Sequence, residues 1–342
     1  MNRRSVLLFV AGAASVALVL SGCAGAGGTA GGAPTAGSTA TAAGATAGYP
    51  VTLDNCGTPV TVAQAPERIV TIKSSTTELL LALGLGDRIV GSAFLDGPLP
   101  ASLAKAGKGL NVVSDFVPGQ EAVLALTPDF VYGGWESNFT ADGVGERGQL
   151  GGLGIGSYVS PAACKGARYM PDPLTFDSVF AEITEAGALF GRADAADRLV
   201  TMQKKALGDL APAGTKTTAL WYSSGTDSPY VGAGIGSPAM IMTAAGLSNV
   251  FADVRDTWTS VGWESVIEAN PSVIVLVDAT WNTAASKIAA LESNPATQGL
   301  AAVQDKRYIV LPFASTEAGI RNVEAAGSAI DQLAALDKQK TK

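Results

Sequence analysis

The chain has 342 residues and a formal charge of −7; 47% of its residues are hydrophobic and 15% charged, against roughly 25% charged in an average soluble domain. That apolar content excludes a disordered chain, the acidic balance (pI ≈ 4.8) argues against nucleic acid as a partner, and the length suggests about two domains. There is no histidine, which removes Ser-His-Asp and Cys-His chemistry and most zinc sites, since all need an imidazole.

The first element in the chain reads as an export signal. Arg3 and Arg4 precede an apolar run from Ser5 to Leu20, marginal against the roughly 20 residues of a bilayer span, with small residues after it. An uncleaved membrane anchor is the alternative. Leu20-Ser21-Gly22-Cys23 resembles the lipobox of bacterial lipoproteins, which implies a signal peptide over residues 1–22 and a lipid on Cys23. Ala24 to Gly48 contains only Ala, Gly, Thr, Ser and Pro. Such a stretch cannot offset its ordering entropy, so residues 23–48 read as a flexible tether with a mean reach of roughly 25–30 Å. Cys56 and Cys164 remain; in an exported chain they read as a disulfide, or as two unrelated buried thiols.

From Tyr49 onward short β-rich runs alternate with helical stretches, the pattern of α/β layers. Val51 to Val62 reads as a hairpin turning at Asn55-Cys56-Gly57. Ile69 to Ile72 is a predicted strand, and Ser75-Thr76-Thr77-Glu78 has the form of a capping box opening a helix through Leu83. Ile89-Val90 is again strand. Glu121 to Leu126 is helical, Pro128 breaks it, and Phe130 to Tyr132 is a strand. Two amphipathic helices follow, Phe176 to Phe190 and Ala193 to Leu210, parted at Gly191-Arg192. Further strands are predicted at Thr217 to Trp221, Val273 to Val277 and Tyr308 to Leu311. A weak internal repeat supports two related halves: Glu121 and Glu264 each open a helix that reaches a proline seven residues on, and Leu83-Gly84-Leu85 matches Ala245-Gly246-Leu247.

Ala65-Pro66-Glu67-Arg68-Ile69-Val70 and the run from Thr77 to Gly91 resemble the opening of helical-backbone substrate-binding proteins, which serve ATP-driven importers of iron-siderophores, haem and cobalamin. The resemblance covers roughly Val51 to Leu336. It implies two Rossmann-like α/β lobes joined by a single long helix, with the ligand in the cleft between them: a first lobe over 49–191, a bridging helix over 192–211 and a second lobe over 212–342. Asn55-Cys56-Gly57 with Pro161-Ala162-Ala163-Cys164 further resembles a subgroup proposed to import a deazaflavin-coenzyme precursor. The partners implied are a small-molecule ligand, a two-fold ABC permease contacted by Glu121 and Glu264, and a membrane reached through the N-terminal lipid. The protein is expected to be an extracytoplasmic monomer without cofactor, resident metal or enzymatic activity.

Ligands of open α/β sheets bind beyond the carboxyl ends of strands. Trp135, Trp221 and Trp281 sit at or just past predicted strand ends, and Tyr222, Tyr230 and Trp258 fall in or near loops; they read as an aromatic pocket for a flat ligand, or else as core and rim packing. Lys73, Ser74, Ser75 and Thr76, at a helix start, form a candidate anion site, or a simple cap with a solvated lysine. Arg147, Arg168 and Arg321 are candidates for a ligand carboxylate or phosphate, and Glu136 and Tyr158 complete the set. The loop from Gly232 to Pro238 reads as a tight turn into a helix rather than a nucleotide fingerprint. The sequon Asn138-Phe139-Thr140 is taken as chance. The rival reading is a cell-envelope enzyme acting on a small anionic substrate through a carboxylate pair such as Asp96 and Glu136.

Overall fold

The computed structural model describes residues 48–212 and 217–340; the export signal, Cys23 and the tether up to residue 47 lie outside the described residues. Strands β1 (Val51–Asn55) and β2 (Thr58–Val62) form the expected hairpin. Its turn is tied to the body by Asn55, which is buried and exchanges two 2.8 Å hydrogen bonds with the backbone of Val159. Beside it Cys56 and Cys164 form a disulfide with a Cα–Cα distance of 5.3 Å.

Strands β3 (Ile69–Ile72), β4 (Ile89–Ala93), β5 (Val112–Ser114), β6 (Phe130–Gly133) and β7 (Gly156–Val159) make an all-parallel sheet in the order β5-β4-β3-β6-β7. Alternation decides its two cores. Ile69, Phe130, Tyr132 and Tyr158 face one side, and Val70, Ile72, Val131 and Val159 the other. Both faces are buried, as parallel sheets require. In the second lobe β8 (Thr217–Ser224), β9 (Tyr230–Gly232), β10 (Leu247–Asn249), β11 (Trp258–Ser260), β12 (Val273–Asp278) and β13 (Tyr308–Pro312) form a mixed sheet in the order β11-β9-β8-β12-β13, with β10 beside the start of β8. Here Ala219, Trp221, Val273, Val275 and Val277 face one core while Leu220, Tyr222, Ile274 and Leu276 face the other.

Helices α1 (Ser74–Ala82), α2 (Gln120–Ala125), α3 (Arg147–Gly152), α4 (Phe176–Leu189) and α5 (Ala193–Gly208) precede the second lobe; α6 (Ser237–Ala244), α7 (Trp263–Ala269), α8 (Ala284–Ser293), α9 (Ala301–Gln304) and α10 (Asn322–Lys340) belong to it. Helices α4 and α5 pack side by side. Ala196 and Leu199 of α5 sit in the first core, while Leu210, just past its end, touches cores of both lobes, as does Phe176 at the start of α4.

The internal repeat has a backbone counterpart. Gly84 and Gly246 share φ 74°, and Thr127 and Asn270, each just before a proline, lie at φ 47° and 37°. The capping box over 75–78 does not form. Helix α1 starts two residues earlier, with Lys73 rather than Ser75 as its N-cap and no side-chain cap bond; Thr76 and Thr77 bond back to the Lys73 carbonyl, and Glu78 pairs with Arg321 instead.

Candidate functional site

A cleft of about 440 Å³ lies between the two sheets, walled by residues at strand exits of both lobes. From the first lobe come Phe94, Phe116, Trp135, Ser75, Ser137, Ser160 and Lys165; from the second come Tyr230, Trp258, Trp281, Phe313, Ser223, Ser224, Ser237, Thr257 and Glu317. Each ring is placed by its neighbours. Trp135 follows β6, its backbone N–H bonded to Asn138 Oδ1 at 3.0 Å, and it meets Phe94 edge-on at 5.4 Å. Asn138 is buried, its Oδ1 positioning Trp135. Tyr230 and Trp258 lie diagonally on the antiparallel β9–β11 pair and stack at 6.0 Å and 13°. Trp281 stands edge-on to Phe313 at 5.9 Å, on a short loop whose Asn282 carbonyl accepts from the buried Lys287 at 2.7 Å. Phe116, Trp281 and Tyr230 are among the exposed large hydrophobic residues, so the mouth of the cleft is apolar as well as its floor.

Two glycines hold the walls close. A Cβ at Gly134 would lie 2.8 Å from Lys73 Cβ, and one at Gly234 would lie 2.1 Å from the Ala252 carbonyl oxygen. The latter explains the glycine-rich loop before α6: it makes room for the 252–257 segment, and Pro238 falls within the first turn of α6 as expected, with Gly236 rather than Ser237 at the N-cap.

Beneath the rings lies a buried ion pair. Lys73 Nζ is bonded to Asp96 and is boxed by Trp135, Phe94 and Phe313, at 3.8, 4.2 and 4.6 Å from the ring centroids. Asp96 also accepts the Ser74 N–H, and its own N–H donates to Ser74 Oγ. Burial pushes the Asp96 carboxyl up, opposed by Lys73. Lys73 has φ 87°, a conformation rare for a lysine, which starts α1 while the side chain reaches Asp96. The anion site expected at 73–76 is therefore not open: Lys73, Ser74 and Thr76 are buried and satisfied within the protein, and only Ser75 lines the cleft.

Several other expected ligand contacts lie elsewhere, some because a strand runs further than expected and some because the side chain is paired within the protein. Strand β8 continues to Ser224, so Trp221 and Tyr222 lie inside it and enter opposite cores; Trp221 supports Trp258 from below at 6.4 Å, and Tyr222 donates to the Gly225 carbonyl. Tyr158 is within β7 and bonds Glu185. Arg147 braces the hairpin, donating to the Asn55 carbonyl at 2.7 Å and to Ser157. Arg168 lies over Tyr169. Arg321 pairs across the lobes with Glu78 at 3.5 Å. Glu136 accepts the Lys165 N–H beside the cleft without lining it, and Asp96 is committed to Lys73, so these two carboxylates do not face a shared substrate position. Glu121 and Glu264 are exposed in the first turns of α2 and α7.

Sequence reasoning missed Phe94, Phe116, Phe313, Lys165, Glu317 and the cleft serine and threonine hydroxyls other than Ser75. Phe94 and Phe313 directly follow β4 and the Pro312 end of β13, so the strand-exit rule applied to phenylalanine would have found both. Among the described residues there is no cluster of three or more His, Cys, Asp or Glu suited to a metal ion, and no helix is long and apolar enough to cross a membrane.

Fold and site together define a two-lobed α/β protein with an aromatic cleft between its lobes. Residues 69–314 match the Periplasmic binding protein family, and the chain belongs to that family. The Vitamin B12-binding protein of Yersinia pestis (strain Pestoides F) is 29% identical over 224 residues, 63% of this chain and 70% of that protein. The crystal structure of an ABC-type Fe3+-hydroxamate transport system from Saccharomonospora viridis DSM 43017 has a TM-score of 0.71 at 26% identity, over 83% of this chain and 99% of that one. A periplasmic binding protein from Veillonella parvula DSM 2008 has a TM-score of 0.72 at 24% identity, over 83% and 97% of the two chains, and speaks for the fold alone.

Proposed function

We propose that the protein is an extracytoplasmic lipoprotein that captures a flat, conjugated small molecule and hands it to an ABC importer. The observation that carries this reading is the aromatic wall contributed by both lobes: seven rings, Phe94, Phe116, Trp135, Tyr230, Trp258, Trp281 and Phe313, around a cleft of about 440 Å³. That volume sits toward the small end of ligand pockets, about 300–1,000 Å³, which suits a tricyclic ring of the deazaflavin-precursor class better than a corrinoid or a bulky siderophore chelate. The serine hydroxyls offer partners for a polar side arm. Cys23 and the tether would hold the body at the membrane, α5 would act as the bridge between lobes, and the exposed Glu121 and Glu264, at repeat-equivalent positions, would each meet one half of a two-fold permease. The test is a fluorescence titration of the purified body with a deazaflavin, a corrinoid and a ferric hydroxamate. Saturable quenching by the deazaflavin alone supports the reading; saturable binding of the corrinoid or hydroxamate with none of the deazaflavin overturns it.

A further inference from the structure

Among the described residues, Glu317 is the only acidic side chain that lines the cleft, and several hydrogen bonds hold it there. Its Oε2 accepts the Trp135 indole N–H across the lobes at 2.9 Å. Its backbone carbonyl accepts from Asn322 Nδ2 at 2.7 Å; the same buried Asn322 donates to the Ser315 carbonyl at 3.1 Å and accepts the Gly319 N–H at 2.8 Å. One asparagine therefore staples the whole 315–319 turn, and with it the position of the carboxyl group. The second oxygen, Oε1, has no hydrogen-bond partner among the described residues. Lys73, bonded to Asp96, and Lys165, which also lines the cleft, both favour the ionised carboxylate through space. Burial among the rings nevertheless pushes this carboxyl up, so these charges and the indole bond only partly offset its desolvation. Ser75 lies against the same turn: a Cβ on Gly319 would fall 3.3 Å from Ser75 Cβ, and the Ser75 hydroxyl has no hydrogen bond among the described residues.

We infer that Glu317 is the specificity-determining residue of the cleft, its free oxygen accepting a hydrogen bond from a ring N–H on the edge of a planar ligand while the Ser75 hydroxyl donates to the neighbouring ring carbonyl. The cargo is then a conjugated heterocycle with a lactam or imide edge, and ligands that present carboxylates at this point are repelled. This deepens the conjugated-ligand reading and rests on it.

The probes are 5-deazariboflavin, which carries an N–H between two carbonyls, and its derivative methylated at that nitrogen. The wild-type protein should bind the N–H probe about ten- to hundredfold more tightly, the range of a hydrogen bond to a charged group. Glu317→Gln keeps the shape but has only one acceptor oxygen for two donors, the indole and the ligand. It should lose most of the preference while binding the methylated probe within about twofold of wild type. Equal wild-type affinity for the two probes overturns the inference and leaves the aromatic reading standing, as does a Glu317→Gln protein that keeps the full preference. Failure of the wild type to bind either probe overturns both. The wild-type comparison is decisive even should the variant not fold.

Discussion

Lys73 separates the two accounts of this cleft most cleanly. As an anion-binding lysine it would touch the ligand; in the structure it is fully buried, bonded to Asp96 and enclosed by three rings. Lys73→Met keeps the aliphatic stem and removes the charge. It leaves Asp96 buried without its cation, which costs about 3–5 kcal/mol when one partner of a buried pair is lost, and it removes cation–π contacts worth about 0.5–2 kcal/mol. Asp96 can protonate to escape part of the penalty, since burial already raises it. The expected loss is therefore about 3 kcal/mol, from the lower part of that range. The second perturbation, Lys73→Met with Asp96→Asn, removes both charges and should recover at least half of it, because neither group is then unpaired. Urea unfolding followed by far-UV circular dichroism gives both numbers, and ligand titration of the folded variants completes the cycle. The reasoning fails if Lys73→Met unfolds at the wild-type urea midpoint yet binds its cargo far more weakly, for then the lysine serves the ligand and not the fold.

The remaining predictions follow from the same geometry. Burial raises Glu78 and Glu182 from 4.5 to about 7, so the native state holds protons that the unfolded chain releases between those values; stability should fall as pH rises from 4.5 through 7, by up to about 3 kcal/mol per carboxyl. Thermal melts of wild type, Glu78→Gln and Glu182→Gln across that window check this, and a wild-type melting temperature that rises with pH contradicts it. Replacing Cys56 and Cys164 by serine should cost up to about 4.7 kcal/mol by chain entropy, given the 108-residue separation, and should weaken ligand binding because Ala162 and Ala163 of the adjoining segment line the cleft; unchanged unfolding and affinity would refute it. Trp258→Leu should weaken binding by roughly 2 kcal/mol with little loss of stability, whereas Trp221→Leu should do the reverse; calorimetric titration beside melting curves distinguishes them. Glu121→Ala with Glu264→Ala should leave affinity in place and cut uptake in reconstituted vesicles, and full transport would refute the docking role.

The layered α/β character was legible because its cause is local. Runs such as Ile69–Ile72 and Val273 to Val277 must be buried on both faces, and the repeat around Gly84 and Gly246 carries a backbone requirement, positive φ, that sequence displays directly. The site was legible only where that logic reached it. Trp135 and Trp281 were found because they follow strands, while Trp221 and Tyr222 were misplaced because the end of β8 is set by its pairing with β9 and not by the residues themselves. Register also decides Tyr158, which needs β7 to be a strand at all. Lys73 and Arg321 were misassigned for a different reason: their partners, Asp96 and Glu78, are distant in sequence or in the other lobe. Glu317 has no local signature, since its importance comes from Trp135, 182 residues away.

The central claim is that this cleft takes a flat conjugated cargo, and the most direct measurement is native mass spectrometry of the protein isolated from its own host, with the absorbance spectrum of whatever denaturation releases. The account predicts one equivalent of a planar chromophore that carries a ring N–H beside a carbonyl and absorbs to the red of the protein. Release of one equivalent of a corrinoid or of a non-aromatic ferric chelate would contradict it.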